Sequence, residues 1–176
     1  MEAAQVRFNS PTAVQVIIVM GVAGSGKTTI GSQLAHELGS AFFDADQFHS
    51  AENKAKMAAG HPLTDNDREP WLAAMRSAVG QWVIEGQNTV LACSALKHNY
   101  RALLRVNDSV RFVYLKVAPE VLTERLERRL HHFMKGNMLE SQFQTLEEPA
   151  EAEAVTVDAA EPVENVVRSI RFALGL

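Results

Sequence analysis

The chain has 176 residues, of which 47% are hydrophobic and 22% charged, with a formal net charge of −4. That length fits one domain with a proper core, and the composition is ordinary for a globular protein. The acidic balance argues against a nucleic-acid partner, and no apolar run approaches the roughly 20 residues of a membrane span.

Residues 1–13 lack the basic start and apolar stretch of a signal peptide. They are expected to form a flexible leader ahead of a single domain over 14–176. Val14-Gln-Val-Ile-Ile-Val-Met20 then reads as a buried strand, and Gly21-Val-Ala-Gly-Ser-Gly-Lys-Thr28 follows it directly. Helical spacing of Ile30, Leu34, Ala35 and Leu38 continues from Thr29. Strand, glycine loop and helix in that order are the context of a phosphate-binding loop. Its N–H groups and the helix N-terminus offer positive partial charge to a phosphate. Gly21, Val22, Ala23, Gly24, Ser25, Gly26, Lys27, Thr28 and Thr29 are therefore the expected cradle of a nucleoside triphosphate. Lys27 adds a full charge near the β- and γ-phosphates, and the Thr28 hydroxyl is placed to ligate Mg²⁺.

Four further short apolar runs can be strands: 41–43, 89–93, 112–117 and 154–157. Helical patterns lie between them at about 50–59, 68–85, 97–105, 119–129, 137–146 and 162–173. This alternation predicts an α/β fold, a five-stranded parallel sheet with helices on both faces. Ligands then bind beyond the carboxyl ends of the strands. Cys93 is the only cysteine, so no internal disulfide can form and a reducing, cytoplasmic setting is expected. Nine basic residues fall between Lys97 and Lys135, against four acidic ones, which suits a small polyanionic ligand such as ATP.

Asp44 and Asp46 sit at the tip of the second strand, two residues apart. In an extended chain that spacing points both side chains the same way. Asp44 is a candidate support for hydrated Mg²⁺, beside Thr28, or else the cap of the next helix. Asp46 is a candidate to orient an acceptor hydroxyl. Arg125 and Arg129, four apart on a helix, share one face and can stack on a base and clamp phosphate oxygens. The stretch from about 130 to 146 is the expected small helical lid. Neither a guanine-reading Asn/Thr-Lys-x-Asp nor an Asp-x-x-Gly after a strand occurs. A small kinase remains.

The more specific strings are Asp46-Gln-Phe-His49, Pro62-Leu-Thr-Asp-Asn-Asp-Arg-Glu-Pro-Trp-Leu72, Cys93-Ser-Ala-Leu-Lys-His-Asn-Tyr-Arg101 and Gln142-Phe-Gln-Thr-Leu-Glu147. On these the chain closely resembles the bacterial-type gluconokinases over about nine-tenths of its length. They are P-loop kinases related in fold to shikimate and nucleoside monophosphate kinases. Ser50 departs from the proline that many relatives carry there. The resemblance implies the P-loop NTPase fold and transfer of the ATP γ-phosphoryl group to the 6-hydroxyl of D-gluconate, with Mg²⁺. It also implies a homodimer, and adenine held between Arg125 and the turn from Asp158 to Pro162.

Gluconate is a polyol with a carboxylate, so its pocket needs a cation at one end and donors along the chain. His49, Lys56, Arg68, Lys97 and Arg101 are the candidate donors, with Arg68 or Arg101 expected on the carboxylate. Trp71 is expected in the core. Lys27, Asp46 and Arg129 are the expected catalytic set. A kinase of another small acceptor, such as shikimate, and a non-catalytic ATP-binding regulator are the alternatives.

Overall fold

A computed structural model describes residues 15–128 and 136–176, with side chains at 15–125 and 139–176. The expected leader at 1–13, Arg129 and the first part of the lid lie outside the described residues. The strands are β1 (Val16–Met20), β2 (Ala41–Asp44), β3 (Thr89–Ala92), β4 (Val110–Lys116) and β5 (Val155–Asp158). All neighbours pair in parallel, in the order β2-β3-β1-β4-β5. Because the sheet is parallel throughout, every strand delivers its carboxyl end to the same edge of the molecule. No helix among the described residues is long and apolar enough to cross a membrane.

The side-chain period of two splits β1 between two cores. Ile17 and Val19 pack with Ile30 and Leu34 of α1 (Lys27–Leu38) and Val166, Val167 and Ile170 of α7 (Val163–Leu174). Val16, Ile18 and Met20 pack on the other face with Trp71, Met75 and Val79 of α3 (Asp65–Glu85) and Leu104 of α4 (His98–Leu104). A central strand buried on both faces accounts for the unbroken apolar run that marks it in the sequence.

Two local departures from the sequence reading bear on the site. The third helix begins at Asp65, not near 68, because Thr64 and Asp67 form a reciprocal capping box. Pro70 falls in its second turn without ending it. Second, the chain leaves β2 through a 3-10 turn, Ala45–Phe48, before α2 (Ala51–Ala58). The Asp44 carboxylate caps that turn, accepting the Asp46 N–H at 3.0 Å. Asp46 is therefore not extended, and strand alternation is the wrong reason for the two carboxylates to converge. Ser50, the departure from proline, caps α2 by accepting the Asn53 N–H at 3.1 Å.

Candidate active site

The glycine loop turns sharply between β1 and α1. Gly21 stands at φ +150°, and a Cβ there would come within 2.8 Å of Ser25 Oγ and 3.0 Å of the Leu115 carbonyl. Gly26, at φ +96°, caps α1 in the left-handed region that glycine enters freely. The loop faces two adjacent hollows. Ala23, Lys27 and Thr28 line a cavity of about 550 Å³ that runs on to Asp44, Asp46, His49, Arg68 and Trp71. Gly24, Ser25, Gly26 and Thr29 line a second hollow of about 390 Å³, closed by Arg125, Ala159, Glu161 and Val163.

In the larger cavity Lys27 is half-buried and its Nζ donates to the Val22 carbonyl at 3.0 Å. Burial pulls its pKa down, opposed by the negative charges of Asp46 and Asp44. The Thr28 hydroxyl donates to Asp44 Oδ2 at 2.8 Å. Asp44 thus both caps the 3-10 turn and reaches the loop, so the two roles weighed for it are compatible. Thr28 Oγ1 and Asp44 Oδ2 are adjacent hard oxygen donors, the chemistry Mg²⁺ takes. Among the described residues no group of three or more His, Cys, Asp and Glu is placed to hold a metal ion by itself. Oxygen ligands from phosphate and water would have to complete the shell.

The wall opposite the loop is built on Trp71. Its Nε1 donates to the Ala45 carbonyl at 2.8 Å, and the His49 ring stacks on it at 4.6 Å between centroids, 6° from parallel. Trp71 is core, as expected, and also forms the floor on which His49 lies. Burial lowers the His49 pKa, and its Nδ1 is buried without a hydrogen-bond partner. A neutral ring with an unpaired nitrogen can donate to, or accept from, a hydroxyl.

Of the five donors expected for the acceptor, only His49 and Arg68 line this cavity. Lys56 is paired with Asp67 Oδ2 at 2.6 Å. Lys97 holds Asp65 Oδ2 at 2.7 Å, and that carboxylate also receives the Tyr100 hydroxyl and Arg68 NH1, the last at 3.4 Å. Arg101 is the clear correction. It is 1% exposed, with Nε on Glu153 Oε1 at 2.7 Å and NH1 on the Ala95 and Leu96 carbonyls, both at 3.0 Å. With its guanidinium spent on those partners it cannot grip a ligand. Instead it braces the turn after β3, where Ala95 holds φ +41° without being glycine. That turn carries Ser94, a cavity residue, and its Ser94 carbonyl accepts from Gly21 N–H. Cys93 is buried below it, its thiol pushed up to about 12 by burial.

The nucleotide-side expectations converge better. Arg125 NH2 donates to the Ala159 carbonyl at 2.8 Å and to that of Ala160 at 3.3 Å, joining α5 (Pro119–Arg128) to the turn after β5. Asp158 shapes this turn by accepting the Ala160 N–H at 2.9 Å, and Pro162 caps α7. Ala159, Glu161 and Val163, and neither Asp158 nor Pro162, line the hollow. Those three carried no sequence signal beyond their neighbourhood. Ser141, Gln142 and Thr145 of α6 (Gly136–Thr145) also line the larger cavity. All three fall in the stretch expected as a lid, and Gln142 and Thr145 in the string Gln142–Glu147, but none was singled out as a site residue.

The family model described as shikimate kinase matches residues 23–174. The chain is 44% identical over 157 residues to the thermoresistant gluconokinase of Escherichia coli (strain K12), covering 88% of this chain and 90% of that one. It is 43% identical over 152 residues to the gluconokinase of Gluconobacter oxydans (strain 621H), covering 86% and 85%. The crystal structure of a gluconokinase from Sinorhizobium meliloti 1021 superposes with a TM-score of 0.84 at 40% identity, covering 93% of each chain.

Proposed function

This chain belongs to the gluconokinases, within the reach of the shikimate kinase family model, and from that premise we propose how its site works. It transfers the γ-phosphoryl group of ATP to the 6-hydroxyl of D-gluconate, giving 6-phosphogluconate and ADP. One observation carries the reading. A single loop divides its residues between a hollow closed by Arg125 and a larger cavity holding Lys27, Thr28, Asp44, Asp46, His49 and Arg68. Nucleotide on one side and polyol acid on the other meet at that loop.

Phosphoryl transfer asks for alignment and charge neutralisation more than for covalent help. Lys27, released from the Val22 carbonyl, reaches the γ-phosphate oxygens. Asp46 accepts the hydrogen bond of the 6-hydroxyl, orients its lone pair toward phosphorus and takes the hydroxyl proton as the new O–P bond forms. Arg68 is the cation left to hold the carboxylate at the far end, since Lys56, Lys97 and Arg101 are engaged elsewhere. His49 meets a hydroxyl between the two. Thr28 and Asp44 would hold Mg²⁺, which when bound neutralises charge on the β- and γ-oxygens. Arg129 belongs to the same proposed lid chemistry, and adenine rests against Arg125 and the turn from Asp158 to Pro162. A cytoplasmic homodimer completes the proposal.

The test is ADP release from ATP·Mg²⁺ with gluconate, glucose, shikimate and AMP as acceptors. Gluconate alone should turn over rapidly, because glucose lacks the carboxylate for Arg68. Comparable rates with glucose, or best activity with shikimate or AMP, would reject the assignment.

A further inference from the structure

One contact joins the two ends of the site and has no part in the mechanism above. The Ala23 N–H donates to Gln142 Oε1 at 2.6 Å, across 119 residues of sequence. Gln142 lies on α6 and lines the larger cavity together with Ser141 and Thr145. Just beyond the helix, Glu147 N–H donates to the Leu96 carbonyl at 2.9 Å, and Glu147 Oε2 accepts from His98 N–H at 2.6 Å. The segment is therefore fixed twice, to the glycine loop and to the turn after β3.

The orientation of the Gln142 amide follows from chemistry. The partner is a backbone N–H, which can only donate, so the oxygen must face it and the NH₂ must face away. That Nε2 has no hydrogen-bond partner among the described residues, although Gln142 is half-buried. The position of Ala23 gives the free end its meaning. Gly24, Ser25 and Gly26 face the nucleotide hollow, whereas Ala23, Lys27 and Thr28 face the acceptor cavity. Ala23 therefore sits where the loop passes from one hollow to the other, with Gln142 bonded to it.

Resting on the phosphoryl-transfer reading of this cavity, we propose that Gln142 is a further catalytic residue. Its Oε1 stays on the Ala23 N–H while its Nε2 donates to an oxygen of the transferring phosphoryl group. No bond is made or broken by the side chain. It neutralises oxygen charge as the γ-phosphoryl leaves ADP and meets the acceptor oxygen.

Two substitutions separate this role from a structural tie. Gln142→Ala removes both ends of the amide. Gln142→Glu keeps an oxygen for the Ala23 N–H and replaces the donor with a second oxygen. Steady-state kinetics with gluconate, slow ATP hydrolysis without acceptor, and thermal unfolding are measured on the full chain. Loss of the donor should lower kcat by about 10²-fold, the scale for one preorganised transition-state donor. Gln142→Glu should be at least as slow as Gln142→Ala, with KM for ATP and the melting temperature close to wild type. A Gln142→Glu enzyme with near-normal kcat would leave Gln142 as a tie only and overturn the proposal. So would a loss of kcat in Gln142→Ala that Gln142→Glu restores. If the wild type turns over another acceptor of the panel, or only water, the gluconate reading fails. The ratio of variant to wild-type rate on that acceptor still decides the role of Gln142.

Discussion

Arg101→Met is the substitution that most directly distinguishes burial from ligand binding. Methionine fills much of the same space but deletes the guanidinium, taking its hydrogen bonds from Glu153 and from the Ala95 and Leu96 carbonyls. Removing one partner of a buried ion pair costs about 3–5 kcal/mol, chiefly through the charge left behind. Glu153 is 16% exposed and keeps His98 at 3.0 Å, which favours the lower end. A loss of about 3 kcal/mol at roughly 2–4 °C per kcal/mol lowers the melting temperature by about 6–12 °C. Thermal unfolding followed by circular dichroism reads that shift. Kinetics well below the transition should show KM for gluconate changed by less than about threefold, under 1 kcal/mol. An unchanged melting temperature with KM raised more than about tenfold, the mark of at least 1.4 kcal/mol of lost binding, would refute the reasoning. Arg101 would then belong on the substrate.

Lys27→Ala should cut kcat by at least about 10²-fold while thermal stability stays nearly unchanged, as steady-state kinetics and unfolding curves will read. Arg68→Lys should raise KM for gluconate and leave KM for ATP alone, since an ammonium cannot make the two parallel bonds of a guanidinium to a carboxylate. Asp44→Asn should raise the Mg²⁺ concentration giving half-maximal rate, whereas Asp46→Asn should slow transfer while ATP still binds. Crossed titrations of Mg²⁺ and gluconate against both variants would expose an exchange of roles. For pH, burial holds the folded-state pKa of His49 below its unfolded value near 6.5, so the unfolded chain takes up the proton first. The stability contributed is complete above that value and is lost as pH falls from 6.5 toward the folded pKa. Denaturant unfolding across that window should therefore give a shallower slope for His49→Gln than for wild type.

The parallel sheet was legible because β1 is buried on both faces and so is apolar at every position from Val16 to Met20. The same signal of strand, loop and helix placed the glycine loop between β1 and α1. The 3-10 turn after β2 was not legible in this way. Its cause is a single side-chain bond from Asp44 to the Asp46 N–H, which leaves no periodicity to read. The start of α3 was legible in principle, since Thr64-x-x-Asp67 is a capping pattern.

Choosing among the cations was the harder problem, and the reason is physical. Arg68 and Arg101 both follow chemically capable strings, and each can grip a carboxylate with two bonds. What separates them is a competing carboxylate supplied from elsewhere in the chain. Glu153 comes from 52 residues beyond Arg101 and satisfies its guanidinium inside the protein. Arg68 meets Asp65 only through one contact of 3.4 Å, and that carboxylate is held more closely by Lys97 and Tyr100. A ligand carboxylate can displace the weak contact on Arg68 but not the buried pairing of Arg101. Motif strings identify residues able to bind an anion. Which of them is left to do so depends on which internal anion the fold has already given to each.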